Sequence, residues 1–145
     1  MAKLLTIVGL GEAVFDIFPD KEVLGGTSLN VAVQAHQLLY PMGGHGVLYS
    51  RIGNDDLGKR LQEEFRVRDL PLDFIQVDIN KPTGQVLVSI KDEAPSYEIV
   101  VDTAWDLLQF TEREAELARQ CHAVSFGSMS QRHPGAHKST QAFHV

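Results

Sequence analysis

Gly25-Gly26-Thr27-Ser28-Leu29-Asn30-Val31-Ala32-Val33-Gln34-Ala35-His36-Gln37-Leu38-Leu39 is the stretch on which the reading of this chain turns. Two adjacent glycines permit positive φ and a close backbone approach. Thr27 or Ser28 then caps a helix to about Leu39, because Val31, Ala32, Ala35, Leu38 and Leu39 recur at helical spacing. Pro41 and the Gly43-Gly44 pair end it. Upstream, Leu4 to Val8 is a continuous apolar run bounded by Gly9 and Gly11, which predicts a buried strand of a parallel sheet. Val14 to Phe18 is a second short extended piece, broken by Pro19-Asp20.

Downstream the alternation continues. Val47 to Ile52 predicts a strand, and Asp55 or Asp56 then caps a helix with Leu57, Leu61 and Phe65 on one face. Thr111 followed by Glu114 is a capping box for a helix to about Gln120, and Ala123 to Phe126 reads as another buried strand ending at Gly127. Strands alternating with helices predict an α/β domain with a mainly parallel sheet flanked by helices. Ile75, Val77 and Ile79 alternate with Gln76, Asp78 and Asn80, which marks a half-exposed strand. Gln85 to Ile90 and Tyr97 to Val101 read as a hairpin across a polar connection containing Asp92 and Pro95. These last pieces do not fit a parallel core and predict a small antiparallel sheet at its edge.

Composition bounds the function. The chain has 145 residues, 43% of them hydrophobic, which fits one compact domain with a filled core. Thirteen basic against 19 acidic residues give a formal charge of −6. With no Lys/Arg-rich stretch to neutralise phosphates, no nucleic-acid or anionic-membrane partner is expected. One cysteine, Cys121, cannot form an internal disulfide, so a reducing, cytoplasmic location is the simplest reading. It sits beside His122 but at the end of a helix, as an inert structural thiol does. The apolar run at the N-terminus is too short for a signal segment or a membrane span.

Three glycine patterns compete for a functional reading. Gly9-Leu10-Gly11 follows a strand, but Val14 stands where a dinucleotide fingerprint needs Gly or Ala, and no helix follows to hold a pyrophosphate. Gly53-Asn54-Asp55-Asp56-Leu57-Gly58-Lys59 has phosphate-loop spacing, yet Arg60 occupies the Ser/Thr position and two carboxylates stand where phosphate oxygens must approach. Those carboxylates suit a helix N-terminus instead. At Gly25-Gly26, free N–H groups at the helix start and Asn30 one turn inside can give and accept hydrogen bonds with an alcohol. From spacing alone, a tight turn with a Ser/Thr cap explains this third pattern slightly better. His133, His137 and His144 cluster near the end, but Pro134-Gly135 argues against a helix there, and no carboxylate or cysteine completes a metal set. A solvated tail and no metal site are expected.

Taken in order, several segments resemble the ribokinase-like (PfkB) carbohydrate kinases, fructokinase-type members in particular. They are Gly11-Glu12 with Asp16; Gly25-Gly26 with Asn30 and Val31-Ala32-Val33; Arg51 to Gly58; Pro82-Thr83-Gly84 leading into Val86-Leu87-Val88; and Phe126-Gly127-Ser128-Met129-Ser130-Gln131-Arg132. The resemblance covers about residues 7 to 132. It implies that Asp16 accepts hydrogen bonds from sugar hydroxyls, that Asn30 binds the same ligand, and that Gly25 and Gly26 let the main chain pack against the ring. Gln131 and Arg132 become candidate substrate or phosphate neighbours. Without the resemblance, Asp16 reads as a solvated acid on an alternating strand.

The resemblance also implies a lid sheet from strands near 14–24 and 84–101, through which relatives pair as homodimers. It implies phosphorylation of fructose or a related sugar with ATP and Mg2+ by a full-length enzyme. Residues 1–145 then read as the N-terminal part of that domain, truncated. The family's second signature, a Gly-rich helix start ending in the catalytic aspartate, has no counterpart, and Gly127 to Val145 contain no acidic residue. Phosphoryl transfer needs a base, donors for developing charge and a nucleotide-magnesium site. The chain is therefore expected to carry no catalytic residue, to bind no ATP or Mg2+ well, and to be inactive by itself. The alternative is a non-catalytic sugar-binding or dimerisation module.

Overall fold

A computed structural model describes residues 4–91 and 93–144; Asp92, in the hairpin connection, lies outside the described residues. β1 (Thr6–Leu10), β4 (His45–Gly53), β5 (Ile75–Asp78) and β8 (Ala123–Phe126) form a parallel sheet in the order β5-β4-β1-β8. Alternation along the strands divides their side chains between two layers. Leu48 and Ile52 pack against Leu29, Ala32 and Val33 of α1 (Thr27–Leu39) and against Leu61 and Phe65 of α2 (Asp56–Val67). Val8, Leu10, Val47 and Tyr49 pack on the opposite face against Leu117 of α3 (Glu112–Gln120) and Phe143 of α4 (Pro134–Phe143). The expected α/β core is present.

α1 lies so close to β1 that a Cβ on Gly9 would sit 2.0 Å from the Ser28 carbonyl oxygen. Gly9 therefore admits the helix, and the Gly9-Leu10-Gly11 pattern is a packing requirement.

The remaining strands build a second sheet in the order β3-β2-β6-β7, from β2 (Val14–Ile17), β3 (Glu22–Gly25), β6 (Gly84–Lys91) and β7 (Ala94–Ile99). β6 and β7 form the expected antiparallel hairpin, and β2 pairs antiparallel with β3. β2 and β6 run parallel, with Val14 opposite Gly84, so the sheet is mixed rather than purely antiparallel. β3 is too short to register as a strand between Pro19-Asp20 and the glycine pair.

Two further expectations are corrected. Ile75–Asp78 belongs to the edge of the parallel sheet, paired with β4, and not to the second sheet. Its polar side is packed as well, although Ile75 on the apolar side meets the core. Asp78 is 5% exposed, where Arg51 donates to it at 2.9 Å, while Val77 is 45% exposed. Alternation was legible there, but the buried partner of the acid was not.

The tail is a helix, not a solvated extension. Pro134 occupies the first turn, where its missing N–H costs nothing. His133 caps the helix, its Nδ1 accepting from the Gly135 N–H at 3.1 Å. Ala136, Ser139, Thr140 and Phe143 are buried.

Candidate functional site

β1 ends at the root of the second sheet, and Glu12, two residues past its end, is buried. The Glu12 carboxylate accepts from the Thr27 N–H at 3.2 Å and lies 3.4 Å from Ser28 Oγ, whose hydroxyl donates to the Leu10 carbonyl at 2.8 Å. The expected cap by Thr27 or Ser28 is therefore corrected: the α1 start is Gly26, and the Thr27 N–H is satisfied by Glu12 from the link between β1 and β2. Gly26 holds φ 108°, and a Cβ there would lie 2.7 Å from the Glu12 carbonyl oxygen. Both the turn and the close approach require glycine.

Across from this turn, β2 carries Asp16. A Cβ on Gly25 would be 3.5 Å from Asp16 Oδ2, so carboxylate and turn face each other directly. Asp16 makes no hydrogen bond to protein within the described residues, which leaves its lone pairs available. Asn30, its amide N–H bonded to the Gly26 carbonyl at 2.9 Å, follows one turn into α1. The fold brings Asp16, Gly25 and Gly26 together at the start of α1 and sets Asn30 one turn behind.

Asn30 also lines a groove of about 350 Å³ with Leu24, Leu29, Gln34, Arg60 and Phe65. This groove contains none of Asp16, Gly25 or Gly26. It lies on the Phe15 side of β2, toward α1 and α2, whereas Asp16 projects from the other face. Arg60 is tied to Glu22 at 2.9 Å there, and Arg68 to Glu64 at 3.2 Å. The groove is the seam between two helices, and the free carboxylate is the better mark of a ligand site.

The two late candidates are engaged elsewhere. Gln131 Nε2 donates to the Gly127 carbonyl at 3.2 Å, and its Oε1 accepts from Gln141 at 2.8 Å. Arg132 donates through Nε and Nη2 to the two oxygens of Asp106, each at 2.8 Å, and through Nη2 to the Val100 carbonyl at 2.7 Å. Burial raises the Asp106 pKa, but Arg132 and the Thr103 N–H more than offset this and hold it below the usual carboxylate range. Neither side chain hydrogen-bonds to Asp16.

The Gly53–Lys59 segment does not fit a nucleotide. Asp55 caps α2, accepting from the Gly58 N–H at 2.8 Å, and also takes the N–H and hydroxyl of Thr83 at 2.8 and 2.6 Å. These bonds outweigh burial and keep Asp55 ionised below the ordinary range. A carboxylate fixed in this loop repels phosphate.

The sequence profile described as pfkB family carbohydrate kinase matches residues 12–138, a span that includes the Asp16–Gly26 turn and both late candidates. The chain belongs to the pfkB family of carbohydrate kinases. A curated member, the putative sugar kinase PH1459 of Pyrococcus horikoshii, is 31% identical over 105 residues, covering 72% of this chain and 33% of the relative. The crystal structure of PH1459 superposes with a TM-score of 0.76 at 26% identity, over 97% of this chain and 48% of the other. Halothermothrix orenii fructokinase shares the fold with a TM-score of 0.77 at 22% identity, over 97% and 52%. The chain thus spans about a third of the curated relative and about half of each of these two solved structures.

Sequence reasoning missed Glu12 as a cap and the Trp105–Asp106 pair. The second had a signal: Thr103 and Asp106 form a capping box, with Asp106 Oδ2 accepting from the Thr103 N–H at 3.0 Å.

Proposed function

We propose that this chain forms the sugar-binding part of an ATP-dependent kinase that phosphorylates a hydroxyl of fructose or a related sugar. The observation that carries this reading is the unpaired Asp16 carboxylate facing the Gly25-Gly26 turn. A carboxylate accepts from two vicinal hydroxyls and the glycine backbone packs against the ring, while Asn30, one turn behind on α1, serves as a further donor and acceptor for a ligand that extends past the turn. Glu12 already neutralises the first donors of α1, and with Asp16 it makes the turn anionic. That charge favours a neutral polyol over a sugar phosphate.

ATP and Mg2+ belong to the complete protein. The crystal structure of PH1459 in complex with ATP supports nucleotide use in the family. No residue of this chain is assigned to nucleotide, metal or catalytic base, and the chain by itself binds sugar without turning it over. Calorimetric titration with fructose, ribose and glucose tests the reading. Asp16→Asn lowers the affinity of the bound sugar by about 10- to 100-fold, the range of a charged hydrogen bond, with stability nearly unchanged. Equal binding by both forms removes Asp16 from the site.

A second reading, a dimerising module acting through the lid-like second sheet, has its own observation. Val86, Val88, Ile90, Tyr97 and Ile99 share one face of the hairpin; its root packs on Trp105, while Ile90 is 71% and Tyr97 63% exposed. Light scattering is expected to give a dimer that Tyr97→Glu converts to monomer. A monomeric wild type rejects this reading.

A further inference from the structure

Arg132 stands at the joint between the two sheets. It follows a 3-10 turn, Met129–Gln131, that continues from β8 past the end of β1, where Ser130 Cβ would lie 2.5 Å from a Cβ on Gly11. Its guanidinium reaches Val100, where the hairpin returns from β7, and Val100 N–H is bonded to Gln85 of β6 at 3.0 Å. Beneath the guanidinium, 4.1 Å from Cζ to the ring centroid, lies Trp105. Trp105 in turn packs against Val14 of β2 and Val86 and Val88 of β6. The acid that holds the guanidinium, Asp106, has a side chain only 3% exposed, against 21% for Arg132. One planar fork therefore touches the hairpin root, the tryptophan under the second sheet and a buried acid on the connecting turn.

We infer that Arg132 is a positioning residue: its guanidinium pins the second sheet, which carries Asp16 on β2 and Gly25 at the end of β3, to the parallel sheet and so fixes Asp16 relative to α1, which packs on that parallel sheet. Its consequence for ligand binding rests on the sugar-site reading above. Lysine cannot replace it, because a point charge lacks the two-pronged match to Asp106 and the flat face for Trp105. Trp105 is the single tryptophan of the chain, so its fluorescence reports this joint directly.

The test compares Arg132→Lys and Arg132→Met with wild type by hydrogen exchange, Trp105 emission and fructose titration. Exchange in residues 84–99 is expected to rise by about tenfold or more, while 6–10 and 45–53 keep their protection. Trp105 emission shifts, and fructose affinity falls. If R132M does not fold, R132K, which keeps the charge without the fork, carries the test. Unchanged exchange in 84–99, or an equal rise in both sheets, overturns the inference. If wild type binds no fructose but R132K loosens 84–99 selectively, the joint stands and the sugar reading fails. If wild type binds fructose and R132K binds it equally well, the sugar reading stands and the joint does not position the site.

Discussion

At the residue scale, Gly26 is the least replaceable position of the site. Its φ of 108° and the nearby Glu12 carbonyl exclude any side chain. Gly26→Ala is expected to destabilise the fold by about 2 kcal/mol or more, the usual cost of positive φ plus a backbone clash, read from the urea midpoint. The glycine pair and Asp16 were legible because both are local in sequence. Glu12 was not, because a cap supplied 15 residues upstream leaves no spacing to read. Arg132 stood out by its place in the Phe126–Arg132 motif, but its pairing with Asp106, 26 residues away, left no local spacing to read.

His36 gives the same scale a pH dependence. It is 3% exposed, both ring nitrogens lack hydrogen-bond partners, and it stacks on Tyr40 at 4.8 Å and His45 at 5.9 Å. Burial and the neighbouring His45 lower its pKa from the ordinary 6.5. The unfolded chain then takes up a proton more readily than the folded one, so stability is full above pH 6.5 and falls as the pH drops below it. Asp55, Asp78 and Asp106 are held below the carboxylate range, so their contributions fade only at lower pH. Urea unfolding at about pH 7.5 and about pH 5.5 is expected to show a loss that His36→Phe largely removes. An identical loss in the variant assigns the effect elsewhere.

At the element scale, α2 shows how a cap can also be a stitch. Asp55 serves the helix through Gly58 and the root of β6 through Thr83, and Thr83 Oγ1 accepts from the Gly53 N–H at 3.0 Å. Asp55→Ala should cost about 2–4 kcal/mol, a lost cap plus buried Thr83 groups left unpaired, measurable by thermal or urea unfolding. A cost below about 1 kcal/mol would reduce Asp55 to an ordinary cap. α2 and α3 were legible from caps and period, α1 from period alone, since neither Thr27 nor Ser28 caps it. α4 was hidden because Pro134-Gly135 reads as a breaker inside a helix but is benign in its first turn. β5 was legible as a strand, yet its sheet could not be assigned, because Arg51, Gln76 and Asp78 form their contacts only after β4 and β5 pair.

At the scale of the whole molecule, two sheets meet at a candidate site that neither builds alone. Asp16 and Gly25 come from one, and α1, with Asn30 in its first turns, packs on the other. The α/β class followed from alternation of elements, but the mixed order of the second sheet did not, since no local pattern announces a parallel partner. Val14 finds Gly84 only after about 70 further residues have been added to the chain. This long wait has a consequence for synthesis. A chain emerging at roughly 5–20 residues per second completes β1, α1 and β4 several seconds before β6 exists to join β2. Through that interval β2 and β3 form a lone hairpin, marginal in water, with Val14 uncovered and a free edge open to any passing strand. The nascent protein is therefore most exposed to misassembly on the very strand that carries Asp16, and a holdase is most useful to it there.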